Sequence, residues 1–458
     1  MNKSIFREYD IRGVVDRDLT PAVVRDIGQA VASLAAERGE TQVIVGRDGR
    51  LSSPMLAEAV KAGIRAAGLE ALDLGTVSTP LLYYATHTLG SSHAGVMVTG
   101  SHNPPQYNGL KIVIDKIALH GEVIHDLRRR IETGDLRHGQ GGERFADHIR
   151  ADYIQRVGAA LRLPAPLKVV VDCGNGIAAK TAPLLLRALG CEVVELFCEV
   201  DGRFPNHHPD PSIPENLADL QAAVVEQCAD VGLAFDGDAD RLGVVDSAGE
   251  IIWPDRLLMP LAKEVLARHP GAAVVYDVKC SQRLTRLIER CGGQPILWKS
   301  GHSLIKAKMR EIGALLGGEF TGHLVHADDW FGFDDAFYAA ARLLNLLARS
   351  QVSSAEFFAA YPTGLNTPEL RVEMSEGQPV AFMARLAAQA DFGPEARLIT
   401  LDGLRVEYPH GWGLVRASNT TPSLTLRFEA DGAVALRDIQ DRFRQPMLAL
   451  QPNLILPF

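Results

Sequence analysis

Residues 169–176 read VVVDCGNG, a β-branched run that ends in a glycine-containing turn, and the pattern occurs twice more. The other copies are VIVGRDGR at 43–50 and VVYDVKCS at 274–281. After each copy come a helix-like stretch ending in glycine, a second strand, another helix and a third strand. Strands that alternate with helices are typical of α/β units with largely parallel pairing. The sequence therefore predicts three tandem copies of one α/β domain.

The third strand of every copy ends in an unusual polar loop. These strands and loops read HAGVMVTGSHNP at 93–104, DVGLAFDGDADR at 230–241 and IGALLGGEFTGH at 312–323. In open α/β sheets, ligands bind beyond the carboxyl ends of the strands. We therefore expect the three loops to point into one shared central cleft.

The C-terminal part of the chain has a different pattern. Residues 404–430 contain two alternating strands around a Ser/Asn/Thr-rich loop, which predicts a smaller α+β domain. We place the domains at the boundaries 1–147, 148–250, 251–362 and 363–458.

Composition limits the class of protein. The 458 residues are 47% hydrophobic and 22% charged, which is typical of a soluble globular chain of several domains. The net charge of −9 argues against general nucleic-acid binding and leaves room only for a locally basic cleft. The six cysteines lack CxxC spacing, and no apolar leader or membrane span is evident. We expect a cytoplasmic protein without a zinc site or a disulfide framework.

The loop SHNPP begins at Ser101, and its serine has three possible roles. Ser101 could be a nucleophile for a phosphoryl group, because a hydroxyl needs a very good electrophile. His102, Asn103 and Lys111 could donate to such a group, and the two prolines would stiffen the loop. The same residues also form ordinary turns. A G-x-S-x-G elbow is excluded, because Gly100 directly precedes the serine.

The loop DGDADR, at 236–241, is more specific. Asp236, Asp238 and Asp240 alternate, so an extended loop would turn all three carboxylates to one side. Hard oxygen ligands of this kind suit Mg²⁺. An EF-hand is excluded, because Arg241 and Ser247 stand where that loop needs glycine and glutamate. The alternative is a solvated acidic turn, in which the carboxylates would repel one another.

The loop GEFTGH, at 318–323, places Glu319, Thr321 and His323 on alternate positions. In an extended loop, an acceptor, a hydroxyl and an imidazole would face the same way, and that set suits sugar hydroxyls. A plain turn is the alternative.

The loop RASNTTPSL, at 416–424, offers donors and short side chains without an acid. Arg416, Ser418, Asn419, Thr420 and Thr421 could cradle a phosphate, because guanidinium forks and loop amides match its oxygens. It is not a P-loop, since no GK[ST] follows. A polar hairpin loop is the alternative.

A dinucleotide fingerprint is the one misleading motif. Gly174, Gly176 and Ala179 match G-x-G-x-x-A, and Glu195 follows at a suitable distance. The equivalent turns of the other two copies lack this pattern, so we interpret it as a tight strand-to-helix turn.

Taken together, the loops make the chain resemble the α-D-phosphohexomutase family. The resemblance covers essentially the whole chain. It rests on FREYDIRG at 6–13, TGSHNPPQYNGLKI at 99–112, DGDADRLG at 236–243, WKSGHSLIK at 298–306, GEFTGH at 318–323, WFGFDD at 330–335 and GWGLVRASNTTPSLTLRFE at 411–429. The family fold has three related α/β domains and a fourth of another type around a deep cleft.

The resemblance implies roles for individual residues. Ser101 would be the phosphoserine, and the three aspartates would hold Mg²⁺ with the serine phosphate as a further ligand. Glu319 and Thr321 would hold sugar hydroxyls with His323 nearby, while the Arg416 loop would hold the phosphate that does not react. His102 belongs to the catalytic loop, and Lys111 and His302 are the candidates for proton transfer. Further cleft positions are Tyr9, Arg12, Arg241, Lys279 and His302.

The implied activity is interconversion of hexose 1-phosphate and hexose 6-phosphate, with mannose and glucose as the sugars. The implied intermediate and activator is a hexose 1,6-bisphosphate, and we expect a monomer without nucleic-acid or membrane partners. One departure concerns the sugar loop, which usually reads G-E-M-S-G-H; Phe320 and Thr321 stand here for methionine and serine. Alternatives are a phosphoglucosamine mutase, a non-catalytic sugar-phosphate-binding protein and a phosphate-ester hydrolase.

Overall fold

A computed structural model describes residues 2–90, 92–375, 377–418 and 422–458. Within these residues the chain divides into two compact units. The first unit consists of Met1–Leu257 and Thr321–Ala360, and the second of Leu258–Phe320 and Tyr361–Phe458. No helix in the described part of the chain is both long and apolar enough to cross a membrane.

The first α/β segment carries the serine loop. Its strands are β1 (Ile11–Val14), β2 (Gln42–Arg47), β3 (Glu70–Thr76), β4 (Gly95–Val98), β5 (Tyr107–Ile114), β6 (Ile117–Ala118) and β7 (Glu143–Phe145). Its helices are α1 (Pro21–Glu37), α2 (Ser53–Ala66), α3 (Thr79–Thr88) and α4 (Glu122–Thr133). The strand order is β1-β5-β4-β2-β3-β7, with β6 beside β5. Strand β2 is parallel to β3 and β4, while β5 is antiparallel to β4.

Two glycines set the close packing of α1 on α2. A Cβ on Gly28 would lie 3.0 Å from the Cα of Val60, and a Cβ on Gly63 would lie 2.6 Å from the amide nitrogen of Gln29. Only glycine permits this approach of the two backbones. Both helices contribute apolar side chains to the core of this segment, among them Ile27, Val31, Leu56 and Ile64.

The second α/β segment carries the aspartate loop. Its helices are α5 (Ile149–Ala160), α6 (Ala182–Ala188) and α7 (Ala218–Glu226). Its strands are β8 (Lys168–Asp172), β9 (Glu192–Leu196), β10 (Val231–Phe235), β11 (Leu242–Asp246) and β12 (Ile251–Ile252). The strand order is β12-β11-β10-β8-β9, in which β8 is parallel to β9 and β10.

The third α/β segment has the same arrangement of strands and helices, and most of it lies in the second unit. Its helices are α8 (Pro254–Arg268), α9 (Gln282–Arg290) and α10 (His302–Ile312), and its strands are β13 (Ala273–Asp277), β14 (Gln294–Trp298) and β15 (Leu316–Gly318). Strand β13 is parallel to both β14 and β15. The first strand of each copy thus lies between the second and the third, which confirms the three related α/β domains.

The glycines that end the first helix of each copy behave as the sequence indicates. Gly68, Gly190 and Gly292 have φ values of +86°, +96° and +74°. Glycine adopts this left-handed conformation without the cost that a Cβ would bring, so it terminates the helix. The next elements along the chain, β16 (Leu324–His326), α11 (Ala336–Ser350) and α12 (Ser354–Ala359), belong to the first unit.

The C-terminal segment is the expected α+β domain. Its strands are β17 (Leu365–Asn366), β18 (Leu370–Glu373), β19 (Arg397–Ile399), β20 (Leu404–Tyr408), β21 (Gly411–Ala417) and β22 (Ser423–Ala430). Its helices are α13 (Gln378–Gln389) and α14 (Ala433–Leu450). The antiparallel order is β17-β22-β21-β20-β19, with β18 also on β22. Phe428, Phe443 and Leu386 pack in its core.

Candidate active site

Ser101 lies buried in the turn that follows β4. Its φ of +49° is left-handed, and its amide donates to the Thr99 hydroxyl at 2.8 Å. The Ser101 hydroxyl donates to Asp236 Oδ2 at 2.9 Å and lies 3.2 Å from Nδ1 of His102. The serine and aspartate loops of the first two α/β segments therefore meet at this hydroxyl.

Arg50, which sequence reasoning missed, holds the serine loop through its backbone. The buried guanidinium donates to the carbonyl oxygens of Ser101 at 2.6 Å, Asn103 at 2.5 Å, Pro104 at 2.8 Å and Tyr107 at 3.1 Å. The signal available in the sequence was the position of Arg50 in the GRDGR turn after β2, at the carboxyl edge of the sheet.

Asp48, in the same turn, completes this support. Its Oδ2 accepts from the Thr99 hydroxyl at 2.7 Å and lies 3.3 Å from Nε of Arg50. Burial lowers the pKa of Arg50, while Asp48 opposes that effect. A guanidinium stays charged even so, because its ordinary pKa lies far above neutral pH.

The three aspartates of DGDADR converge, as the sequence predicts. Asp236, Asp238 and Asp240 are fully buried, and each offers a carboxylate oxygen within 4.8 Å of the others. They do so from a turn and not from the extended loop that we expected. Ala239 is left-handed with φ of +65°, and Asp236 Oδ1 accepts from the amides of Asp240 and Arg241 at 3.1 Å each. These local bonds favour the turn because they satisfy buried backbone donors.

Lys111, on β5, faces the aspartates. Its ammonium lies 2.6 Å from Asp238 Oδ2 and also contacts Asp240. Burial lowers the pKa of Lys111, but Asp238 and Asp240 outweigh burial and raise that pKa above its ordinary value. Burial also raises the pKa of Asp236 well above its usual range, and the two neighbouring carboxylates add to the rise.

A divalent cation fits the aspartate cluster. The donor set consists of hard carboxylate oxygens, which Mg²⁺ prefers. Among the described residues, Asp238 Oδ1 is buried without a hydrogen-bond partner. Lys111 and Arg241 carry two positive charges against three buried carboxylates, so a further positive charge would relieve the repulsion between the carboxylates.

His102 belongs to the serine loop itself. Arg12 lies on β1, and Tyr9 lies just before that strand. Arg12 donates to Asn103 Oδ1 at 2.8 Å and to Asp10 at 2.5 Å, so it also supports the loop. Burial lowers the pKa of His102 well below its ordinary value, and the cations Arg241, Arg12 and Lys111 contribute. Its imidazole is therefore neutral at pH 7. Tyr9 is half-buried in the bend before β1.

Arg241, His323 and Thr321 also belong to the first unit. Arg241 and His323 form an isolated antiparallel bridge, and Nε2 of His323 lies 3.4 Å from Asp240 Oδ1. The Thr321 hydroxyl lies 3.4 Å from Nδ1 of His323. The first unit thus brings the imidazole of the GEFTGH loop to the aspartate cluster.

Lys279, in the second unit, is held by its neighbours in the chain and by the C-terminal domain. Its ammonium lies 3.1 Å from Glu369 and 3.8 Å from Asp277. Burial lowers the pKa of Lys279, but both carboxylates outweigh burial and raise it. Arg405 donates to the carbonyl of Cys280 at 2.7 Å, and Arg427 donates to the carbonyl of Lys279. Both arginines are buried and stack on aromatic rings.

His302 is the first residue of α10, and Glu319, which directly follows β15, contacts the start of that helix. Glu319 is buried and accepts from the amide of Gly301 at 2.5 Å, directly before His302, which is 8% exposed. The contact orders the WKSGH turn, because a carboxylate at a helix N-terminus satisfies a backbone donor. The boundary between the two units separates Glu319 from Thr321 and His323, so the predicted convergence of these three side chains stays a prediction.

The phosphate-loop candidate lies between β21 and β22. Arg416 is buried and pairs with Asp402 Oδ2 at 3.1 Å; that same oxygen accepts from the amide of Ser300 at 2.9 Å. The amide of Ser418 donates to the carbonyl of Ser423 at 2.9 Å. The predicted ligands Asn419 and Thr420, together with Thr421, lie outside the described residues. Asp402 is the second residue that sequence reasoning missed.

Four protein-family models match the chain in consecutive regions. They are Phosphoglucomutase/phosphomannomutase alpha/beta/alpha domain I at residues 3–138, domain II at 143–249, domain III at 253–363 and the C-terminal domain at 369–445.

Individual proteins match over the full length. A phosphomannomutase/phosphoglucomutase of Pseudomonas putida is 52% identical over 455 residues, which is 99% of this chain and 98% of the relative. A phosphoglucomutase of Neisseria meningitidis is 47% identical over 458 residues and covers 99% of both chains. The crystal structure of a phosphoglucomutase/phosphomannomutase family protein from Burkholderia thailandensis is 48% identical, covers 100% of both chains and superposes with a TM-score of 0.95.

Proposed function

The chain belongs to the phosphoglucomutase/phosphomannomutase family of isomerases, and we propose that it exchanges the 1- and 6-phosphates of glucose and mannose through a phosphorylated Ser101. The observation that carries this proposal is the hydrogen bond of 2.9 Å from the Ser101 hydroxyl to Asp236. It places a potential phosphate carrier at a cluster of buried carboxylates beside the Lys111 ammonium. Phosphoryl transfer depends mainly on such positioning and charge neutralisation.

Asp236, Asp238 and Asp240 would hold Mg²⁺, with the phosphate on Ser101 as a further ligand. Bound Mg²⁺ would act as a Lewis acid that neutralises charge on the transferring phosphoryl group. Lys111 adds to this neutralisation, because its raised pKa keeps the ammonium protonated beside Asp238 and Asp240.

In the proposed reaction, the free 6-hydroxyl oxygen of a hexose 1-phosphate attacks the phosphorus of phospho-Ser101. A phosphorus–oxygen bond forms to the sugar, and the bond to Oγ of Ser101 breaks. The proton of the hydroxyl passes to a protein base. Of the two candidates from the sequence, Lys111 and His302, we favour His302 as this base, because the raised pKa of Lys111 keeps its ammonium protonated and able only to donate. The product is a hexose 1,6-bisphosphate, which turns around and returns its 1-phosphate to Ser101, so that the enzyme is regenerated.

Arg50 and Asp48 contribute by holding the loop. Four backbone carbonyls of the serine loop accept from one guanidinium, so Oγ of Ser101 has little freedom to leave the aspartates. In-line transfer needs such a restricted geometry. This support comes from the first unit alone, and it acts on the backbone rather than on the reacting atoms.

The remaining assignments are part of the proposal. Glu319, Thr321 and His323 would contact sugar hydroxyls, and Arg416, Ser418, Asn419 and Thr420 would bind the phosphate that does not react. The other residues proposed to bind substrate are Tyr9, Arg12, Arg241, Lys279 and His302. We also retain the predictions of four domains with the boundaries given above, a monomer and a cytoplasmic location.

Intact-mass spectrometry of the purified full-length protein tests the first step. We expect one added phosphate after incubation with glucose 1,6-bisphosphate, located by peptide mapping on Ser101. Ser101→Ala should lose the mutase turnover and keep the binding of glucose 1-phosphate, whereas Ser350→Ala, at the end of α11, should behave as wild type. Normal turnover of Ser101→Ala would reject the assignment.

Substrate comparison separates this proposal from its alternatives. Glucose 1-phosphate and mannose 1-phosphate should both be converted, and glucosamine 1-phosphate should be converted more slowly. A preference for glucosamine 1-phosphate would identify a phosphoglucosamine mutase instead. Steady release of inorganic phosphate without isomer formation would identify a hydrolase.

A further inference from the structure

Two cysteines lie side by side at the carboxyl edge of the second α/β segment. Cys173 directly follows β8, and Cys198 follows the neighbouring parallel strand β9. Their sulfur atoms are 3.4 Å apart. The amide of Cys173 donates to the carbonyl of Leu196 at 3.2 Å, which sets the two strand ends beside each other. Cys173 is fully buried and Cys198 is partly exposed, so solvent reaches the pair from one side.

The turn after Cys173 contacts the aspartate loop. The amide of Ile177 donates to the carbonyl of Gly237 at 3.2 Å, and a Cβ on Gly176 would lie 3.1 Å from the Cα of Gly237. Gly237 in turn packs directly on the carbonyl of Ser101, where a Cβ would clash. A displacement of Cys173 is therefore transmitted through tightly packed backbone to the serine.

The loop after Cys198 contacts Arg50, which supports the serine loop through its backbone carbonyls. A Cβ on Gly202 would lie 2.7 Å from the Cα of Arg50, and the Phe204 ring centroid lies 5.0 Å from the Arg50 guanidinium. The amide of Asp201 donates to the carbonyl of Asn175 at 3.0 Å, which joins this loop to the turn after Cys173. Cys173 thus precedes a turn that contacts the aspartate loop, and Cys198 precedes a loop that contacts Arg50. Both contacted elements support Ser101.

We propose that Cys173 and Cys198 are a modification site, where a small-molecule disulfide such as oxidised glutathione converts them to a reversible intrachain disulfide that slows phosphoryl transfer. The sulfur of Cys198 attacks the small disulfide and forms a mixed disulfide, which releases one small thiol. The sulfur of Cys173 then attacks the Cys198 sulfur and releases the second small thiol. Two protein thiols are oxidised, and one small disulfide is reduced to two thiols.

The order of the two steps follows from burial. Cys198 is the accessible partner, and burial raises the pKa of Cys173 well above its ordinary value, so that Cys173 is not the thiol that attacks the small disulfide first. In the second step the proton of Cys173 passes to the small thiolate that leaves. A sulfur–sulfur bond of about 2.05 Å requires the sulfurs to approach from 3.4 Å. The approach shifts the turn after Cys173 and the loop after Cys198, and with them the aspartate loop and Arg50, which support Ser101. A small misplacement of a reacting group lowers turnover by about tenfold or more.

The test uses the reduced full-length enzyme, oxidised glutathione, alkylation of the remaining thiols and peptide mapping by mass spectrometry. We expect a Cys173–Cys198 linkage, turnover reduced about tenfold, and recovery of both after dithiothreitol. Cys228→Ser, which removes an exposed cysteine after α7, should respond as wild type. Cys198→Ser should keep its basal turnover and show neither the linkage nor the inhibition.

Four outcomes would overturn the inference. The first is a pair that stays reduced while Cys228 becomes fully glutathionylated. The second is a stable glutathione adduct on Cys198 without the linkage. The third is wild-type turnover of the linked protein, and the fourth is inhibition of Cys198→Ser by oxidised glutathione. The effect on turnover rests on the proposed mutase function, whereas the linkage is mapped without any activity and can be judged apart from it.

Discussion

The guanidinium of Arg50 donates a hydrogen bond of 2.6 Å to the backbone carbonyl of Ser101 and binds three further carbonyls of the same loop. The serine loop is therefore shaped by a side chain from the turn after β2. A planar fork with several donors can serve four carbonyls, whereas a lysine ammonium cannot reproduce that geometry.

Arg50→Lys is expected to lower the mutase kcat by about ten- to a hundredfold, because the charge remains but the loop loses its fixed shape. The measurement is steady-state turnover of glucose 1-phosphate, together with thermal unfolding. Arg47→Lys is the matched control, since Arg47 is the last residue of β2, directly before the turn that carries Arg50, and makes a longer, partly exposed contact of 3.5 Å to Asp73. Wild-type kcat for Arg50→Lys would contradict this role.

Lys111→Met is expected to lower the thermal stability of the metal-free protein, because the buried carboxylates of Asp238 and Asp240 then lose their lysine partner. Removing one partner of a buried ion pair costs about 3–5 kcal/mol. Adding Mg²⁺ should raise the melting temperature of this variant more than that of the wild type. Lys263→Met, at an exposed position of α8, is the control. No rise in melting temperature with Mg²⁺ in either protein would argue against cation binding at the aspartates.

Asp335 is expected to give a pH dependence to stability. It accepts from Tyr153 at 2.8 Å and Trp330 at 3.0 Å, yet burial raises its pKa to about 6. Because its pKa is higher in the folded than in the unfolded chain, the folded state gains protons, and stability, as the pH falls from 7 to 5.

The variant Asp335→Asn removes this titration. Relative to the variant, the wild type should gain about 1 kcal/mol of unfolding free energy between pH 7 and pH 5, since one pKa unit corresponds to about 1.4 kcal/mol. Urea denaturation at both pH values is the measurement, and Asp147→Asn, at an exposed site, is the control. A difference that does not change with pH would show that Asp335 is already ionised at pH 5.

Asp402→Asn is expected to raise the KM for glucose 1-phosphate about tenfold with little change in kcat. Asp402 fixes Arg416 at 3.1 Å, and a charge-assisted bond contributes about 1.5–3 kcal/mol. The amide of the variant can still accept from the Ser300 backbone, so the loop keeps its other bond. Asp438→Asn, on the exposed face of α14, is the control. An unchanged KM would exclude a role for Asp402 in positioning Arg416.

Motifs with reactive side chains were recognisable from sequence, and residues that act on the backbone were not. Ser101 and the aspartates could be chosen because their side chains carry the chemistry and follow buried strands. Arg50 binds backbone carbonyls, and Asp402 binds a backbone amide and the side chain of Arg416. Such contacts have no sequence signature. The DGDADR loop was expected to be extended because its aspartates alternate; Ala239 and the amides that bind Asp236 make it a turn instead.

The three α/β copies and the C-terminal α+β domain could be predicted from the sequence, as could the convergence of the three aspartates. Local periodicity and turn residues encode these features, and both are read along the chain. Three contacts are evident only in the folded chain: Arg50 binds carbonyls of the serine loop, Lys111 pairs with two of the aspartates, and Cys173 lies beside Cys198. These pairs depend on which strand ends lie side by side in a sheet and on how the first two α/β segments pack together, and they bring residues 25 to 129 positions apart into contact.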